Sequence, residues 1–97
     1  MRVISRKALV GCWMMHPETE QPLKAWFKEV SFAKWASPNQ LKLEFPSASV
    51  LRNGRVVFNI KGNNYRLVVR INYSYQLVWI RFVGSHQEYD KIDANSI

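Results

Sequence analysis

"RVVFNIKGNNYRLVVRINYSYQLVWIRFV", residues 55–83, decides the fold. It holds three runs rich in β-branched and aromatic residues, 55–61, 65–73 and 77–83, which read as strands. Gly62-Asn63 between the first two is a strong hairpin signal, and Ser74-Tyr75 between the second and third is a weaker one. Side chains alternate faces along a strand. The apolar sets are therefore Val56, Phe58 and Ile60; Leu67, Val69 and Ile71; and Val78, Ile80 and Phe82. Two-residue loops would pair Asn59 with Arg66, Arg70 with Trp79 and Val68 with Arg81. All three apolar sets then share one side, an agreement that a one-residue slip would destroy. The pattern predicts a three-stranded antiparallel sheet with helices on one face.

The other face would carry Arg55, Asn59, Lys61, Arg66, Arg70, Trp79 and Arg81 over a low floor of Val57 and Val68. No Asp or Glu occurs from Phe45 through Gln87. An ordinary solvated sheet face mixes Lys with Glu. Several Arg without acids suit an anion instead, since guanidinium matches phosphate bidentately. The whole chain agrees, with 14 Lys and Arg against 7 Asp and Glu, a net charge of +7. Such a charge points to an anionic partner.

Working outward toward the start, the period changes to that of helices. Residues 1–4 read as a short strand. Ser5 is placed as N-cap of a helix running to about Met15, with Leu9, Cys12 and Trp13 on one face, and Pro17 stops it. A second helix begins near Pro22, where Leu23, Trp26, Phe27 and Val30 make an apolar stripe of core type. Ser37, Pro38 and Gln40 make a capping pattern for a short third helix, ended by Pro46. The expectation is one α+β domain over residues 1–97.

Several function classes lose support. Cys12 is the only cysteine, which excludes an intrachain disulfide and suits a small core residue in a reducing compartment. The apolar stretch near the start is too short to span a bilayer and is interrupted by charge, so a soluble cytoplasmic protein without membrane contact is expected. No acidic cluster suits magnesium, no Cys/His spacing suits zinc, and no Gly-rich phosphate loop is present. No metal or cofactor is expected. His16, before Pro17, reads as a surface residue ending a helix.

Working outward toward the end, "SHQE" (85–88) is a capping box for a helix that starts directly after the last strand. His86 is then N1 and Tyr89 is N4, neighbours at i, i+3. An imidazole and a phenol are delivered to the rim of an arginine-rich surface. RNA cleavage by its own 2′-hydroxyl needs a group to withdraw the 2′-proton, charge to neutralise the phosphorane, and a donor for the leaving 5′-oxygen. A His and a Tyr beside Arg and Lys can supply these.

The pieces "VFNIKGNNYRLVV", "WIRFVG" and "HQEYDKID", with "ISRKAL" and "PLKAWFKEV" before them, make nearly the whole chain resemble the HigB toxins of bacterial type II toxin–antitoxin modules. The resemblance implies a RelE/ParE-like α+β fold: N-terminal helices on one face of a small antiparallel sheet and a short C-terminal helix. It implies a ribosome-dependent, metal-independent mRNA endonuclease. The implied partners are a HigA-type helix-turn-helix antitoxin, mRNA on the ribosome, and operator DNA only through the antitoxin complex. On the matching motifs the implied catalytic residues are Lys61, Arg66, Arg81, His86 and Tyr89. Arg55, Asn59, Arg70, Trp79 and Lys91 are the RNA-binding candidates. The superfamily also contains ParE-like gyrase poisons, and a non-catalytic RNA-binding module is the third reading. A proton-transfer pair at the rim favours the nuclease. The first helix, "LVGCWMMH", is more apolar than the family pattern.

Overall fold

A computed structural model describes residues 1–97. The elements are β1 (Arg2–Ile4), α1 (Lys7–Met15), α2 (Glu20–Phe32), α3 (Pro38–Glu44), β2 (Ser49–Val50), β3 (Arg55–Ile60), β4 (Tyr65–Asn72), β5 (Leu77–Ser85) and α4 (His86–Tyr89). A single 3-10 turn, Pro17–Thr19, joins α1 to α2. The sheet has five strands in the order β1-β5-β4-β3-β2, and only the β1–β5 pair is parallel. The architecture is therefore α+β, with the expected central meander extended by a short strand at each edge.

The main core lies between α1–α3 and one sheet face. The expected apolar sets of β3 and β4 line it, as do Val78 and Ile80 of β5. From the helices come Leu9, Cys12, Leu23, Trp26, Val30 and Leu41. Phe58 sits at its centre, with Trp26 and Phe45 edge-on to its ring at 5.4 and 5.0 Å between centroids. Such arrangements follow the aromatic quadrupole. The α2 stripe buries Leu23, Trp26 and Val30 and leaves Phe27 half-buried beneath the Arg6 guanidinium, 4.8 Å from its ring centroid.

Two helix starts differ from the sequence expectation. Ser5 is not an N-cap: its φ is +74°, and Arg6 takes the cap position without a side-chain bond. The chain must reverse sharply from β1 into α1, and Ser5 absorbs that turn in the left-handed region. Ser37 does stand before α3, but its hydroxyl makes no cap bond. Gln40 reaches one residue further back and accepts from the Ala36 N–H at 2.7 Å.

The largest difference lies in β5. Arg70 pairs with Trp79 and Val69 with Ile80, but Val68 pairs with Phe82. Arg81 is the extra residue of a β-bulge. Beyond it the faces of β5 exchange. Val83 turns to the main core, and Phe82 joins Val57 and Val68 on the opposite side. That second face is thus three cross-strand rows: Arg55–Arg70–Trp79, Val57–Val68–Phe82 and Asn59–Arg66–Gly84. The apolar middle row is not an open floor. Ala94, buried, packs on Val57 and Val68, with Leu51, Tyr89 and Ile97 around it.

His16 is half-buried rather than a plain surface residue. It does end α1, and its ring lies 5.3 Å from that of Tyr65. The Tyr65 hydroxyl donates to the Glu18 carboxylate, tying the 3-10 turn to the start of β4. This bond holds Glu18 below its ordinary value of 4.5 and pushes Tyr65 up to about 12. The stabilisation is complete above Glu18's unfolded pKa and is lost as pH falls through its lowered folded value. On the alkaline side it is complete below the ordinary tyrosine value of 10 and is lost as pH rises through about 12. Tyr65→Phe should therefore lower stability between about pH 5 and pH 10 and flatten both flanks of the profile. Urea unfolding across pH measures this. Flanks unchanged in the variant would remove the Glu18–Tyr65 bond from the pH dependence.

Candidate nucleic-acid interface

β5 delivers α4 to the sheet rim through a reciprocal capping box. The Ser85 hydroxyl accepts from the Glu88 N–H at 3.1 Å, and the Glu88 carboxylate accepts from the Ser85 N–H at 2.9 Å. Those bonds hold the Glu88 carboxyl below its usual range. The next orphan donor, the His86 N–H, reaches the Asn64 carbonyl at 3.0 Å, fastening α4 to the β3–β4 turn. A Cβ at Gly84 would stand 2.8 Å from the Phe82 ring tip and 3.1 Å from the Glu88 carboxylate, so any larger residue would displace those side-chain ends.

Around this start three of the named side chains gather. The Arg66 guanidinium lies 5.9 Å from the Tyr89 ring centroid, within cation–π range. It also donates to the carbonyls of Asn63 and Tyr65 at 2.9 and 3.2 Å, which aims it along the rim. Tyr89 rests on Phe82, ring centroids 6.5 Å apart. His86 is exposed, with Nδ1 3.1 Å from an Asp90 carboxylate oxygen. Asn59 is the direct cross-strand partner of Arg66. Lys91 follows α4 and is exposed.

The remaining candidates are placed differently. Lys61 is exposed in the β3–β4 turn, where it and Gly62 take left-handed backbone, φ +51° and +64°. It stands near Glu18, helping to lower that carboxyl's pKa. Arg81 is exposed on the bulge, one residue before the Phe82 that supports Tyr89. Arg70 and Trp79 lie side by side in the row at the other end of the face. Arg55 corrects the expectation of an open basic surface. It is only 9% exposed, and its Nε donates to the Ile97 carbonyl at 2.8 Å. A guanidinium beside the apolar middle row needs internal partners, and Ile97 supplies one for its Nε.

The electrostatics are one-sided. The side-chain ion pairs are Lys24–Glu20 and His86–Asp90, so no Asp or Glu side chain pairs with a strand arginine. Arg55 and Arg70 are direct cross-strand partners, a repulsive pairing without an anion. Sequence reasoning missed the tail lying across this face. Ala94 and Ile97 carry no periodic signal that could have shown it.

With this geometry in view, comparison with known proteins is specific. Residues 19–92 match the HigB toxin family, the RelE-like toxic component of a toxin–antitoxin system. An mRNA interferase toxin HigB of Escherichia coli is 32% identical over 92 residues, covering 93% of this chain and 88% of that one. An mRNA interferase HigB of Shigella flexneri matches at the same identity and coverage. A second Escherichia coli mRNA interferase HigB is 24% identical over 94 residues, covering 95% and 91%.

The capping box makes a stability prediction. Ser85→Ala should cost about 1 kcal/mol locally, as N-cap losses do. Ser85→Thr, which keeps the acceptor, should cost much less. Amide exchange at Glu88 and Tyr89 reads the effect. Protection in Ser85→Ala equal to that of the unaltered chain would mean that Phe82 packing alone fixes α4.

Proposed function

We infer the action of this protein from one premise: the chain belongs to the HigB family of RelE-like toxins. It is the toxic component of a toxin–antitoxin system and an mRNA interferase. Its partner in the reading offered here is a HigA-type helix-turn-helix antitoxin, and operator DNA is met only through that complex. Its substrate is mRNA on the translating ribosome, which places its action in the cytoplasm. The observation that carries the reading is the Arg66 guanidinium over the Tyr89 ring beside exposed His86, on a sheet whose arginines pair with no Asp or Glu side chain. A gyrase poison or a passive RNA binder would have no use for such proton carriers, and the relatives are named mRNA interferases.

The proposed chemistry is transesterification within the RNA. The 2′-oxygen attacks the adjacent phosphorus as its proton leaves. The P–O5′ bond then breaks, giving a 2′,3′-cyclic phosphate and a 5′-hydroxyl. Asp90 beside Nδ1 of His86 favours a proton on that nitrogen and leaves Nε2 as acceptor for the 2′-proton. Tyr89 supplies the proton to the leaving 5′-oxygen. Arg66 and Arg81 neutralise the phosphorane, a contribution of about 2.7–4 kcal/mol per donor by analogy with oxyanion holes. Lys61, Asn59 and Lys91 hold the strand at the rim.

Induction without antitoxin should arrest growth, and primer extension should show codon-phased cuts in messages. Normal growth with soluble protein and intact messages would sink the reading. Intact messages with broken DNA would favour the gyrase poison instead. For the mechanism, His86→Gln should lower the single-turnover cleavage step on programmed ribosomes by about 10²–10⁴-fold. Binding should survive that change, since it rests on distributed charge. Lys61→Ala should instead weaken binding and reduce its salt dependence, as loss of one phosphate contact does. Normal cleavage by His86→Gln at saturating toxin would transfer the base role to another group.

A further inference from the structure

At the opposite end of the same sheet face lies a cavity of about 560 Å³, bounded by the β2–β3 loop, the end of β4 and Trp79. This is the size of a small-ligand site. We propose that it is a nucleotide pocket, in which Trp79 stacks on a base and Arg70 holds the attached phosphate. Resting on the mRNA interferase reading, the occupant is a nucleotide of the single-stranded substrate that flanks the cleaved bond.

Four observations converge on this pocket. Trp79 is half-exposed and directly across from Arg70, so an aromatic face and a guanidinium are offered together. That pairing suits single-stranded nucleic acid, because every base has a π-face and carries a phosphate. Arg70 is exposed, has no carboxylate partner, and stands next to Arg55, whose Nε is already committed to Ile97. An incoming phosphate would relieve that repulsion.

Polar edges line the wall. The Asn72 side-chain oxygen accepts from the Tyr75 N–H at 3.0 Å, which leaves its NH₂ group free. The Asn53 amide is exposed at the rim. The wall is also preformed. Asn53 and Gly54 take φ +56° and +75°, and the Gly54 carbonyl accepts from the Ile71 N–H at 2.8 Å. A Cβ on Gly54 would stand 2.6 Å from the Ile71 carbonyl oxygen, so only glycine lets the loop lie this close.

The pocket is distinct from the α4 rim. Arg66 and Arg70 are four residues apart on β4, roughly 13 Å at the rise of a strand. Between their rows runs the apolar row covered by the tail. A strand gripped at both ends would be held across the face at two points.

The test is an NMR titration of the full chain with adenosine monophosphate, uridine monophosphate and inorganic phosphate. Both nucleotides should give saturable shifts at the Trp79 indole N–H, the Asn53 and Asn72 amides and the Arg70 Nε–H. Phosphate alone should move Arg70 but not the Trp79 indole. Trp79→Ala should abolish the nucleotide response, and Trp79→Phe, which retains a stacking face, should preserve it in part. In ribosome cleavage Trp79→Ala should raise KM by about tenfold, within the range of one lost base stack, with kcat little changed. Nucleotide shifts confined to His86, Tyr89 and Arg66, or no saturable response at Trp79, would overturn the pocket. The two readings fail separately. If the unaltered chain leaves messages intact, the interferase reading falls whatever Trp79 does. If messages are cut while Trp79→Ala keeps its KM, the pocket falls alone.

Discussion

One extra residue in β5 organises the functional face. A strand has a period of two, so inserting a residue inverts every side chain beyond it. Arg81 is that residue. Without it Arg81 would face Val68, and the middle of the second face would be charged. With it, Phe82 completes an apolar row with Val57 and Val68. That row gives Ala94 and Ile97 something to bury against and gives Tyr89 a ring to rest on. It also puts Gly84 opposite Arg66.

What could be read from the sequence follows from the range of the interactions. The β3–β4 register was legible because a hairpin turn and two alternating apolar sets specify it together. The Ser85–Glu88 box was legible because it closes within three residues. The bulge was not. "VWIRFV" is apolar on both of its alternating sets, so either face of the strand beyond Arg81 satisfies the pattern. The parallel edge strand β1 is three residues long, too short to reveal its partner. Ser5 and Ser37 carried the right chemistry for caps, but Ser5 lies in a left-handed turn one residue before the α1 cap, and the Ser37 hydroxyl makes no cap bond.

The same distinction holds for the interface. Its charge was legible as composition, because acids are missing from a long contiguous segment. Its division into two polar ends by a covered apolar row was not, because the tail is an irregular segment placed by long-range packing. The cavity wall depends on Gly54 lying against Ile71, a contact between a loop and the far end of a strand. His86 and Tyr89 could be placed at one rim from local spacing, yet the positions of Lys61 and Arg81 relative to them depend on turn and bulge geometry.

The tail does more than cover apolar surface. Arg55 and Arg70 would otherwise present adjacent like charges on one row, an arrangement that costs stability while no anion is bound. Burying Arg55 also costs, unless its donors are met. The Ile97 carbonyl meets one of them, so packing of Ala94 on the middle row and satisfaction of Arg55 require the same chain path. Arg70 is then the exposed guanidinium of its row, beside Trp79, and Arg66 holds the other polar row beside Tyr89. A continuous basic sheet would attract any polyanion over its whole area. Here the apolar seam instead separates the Arg66–Tyr89 contact from the Arg70–Trp79 strand pair, and His86 lies at the Arg66 end alone.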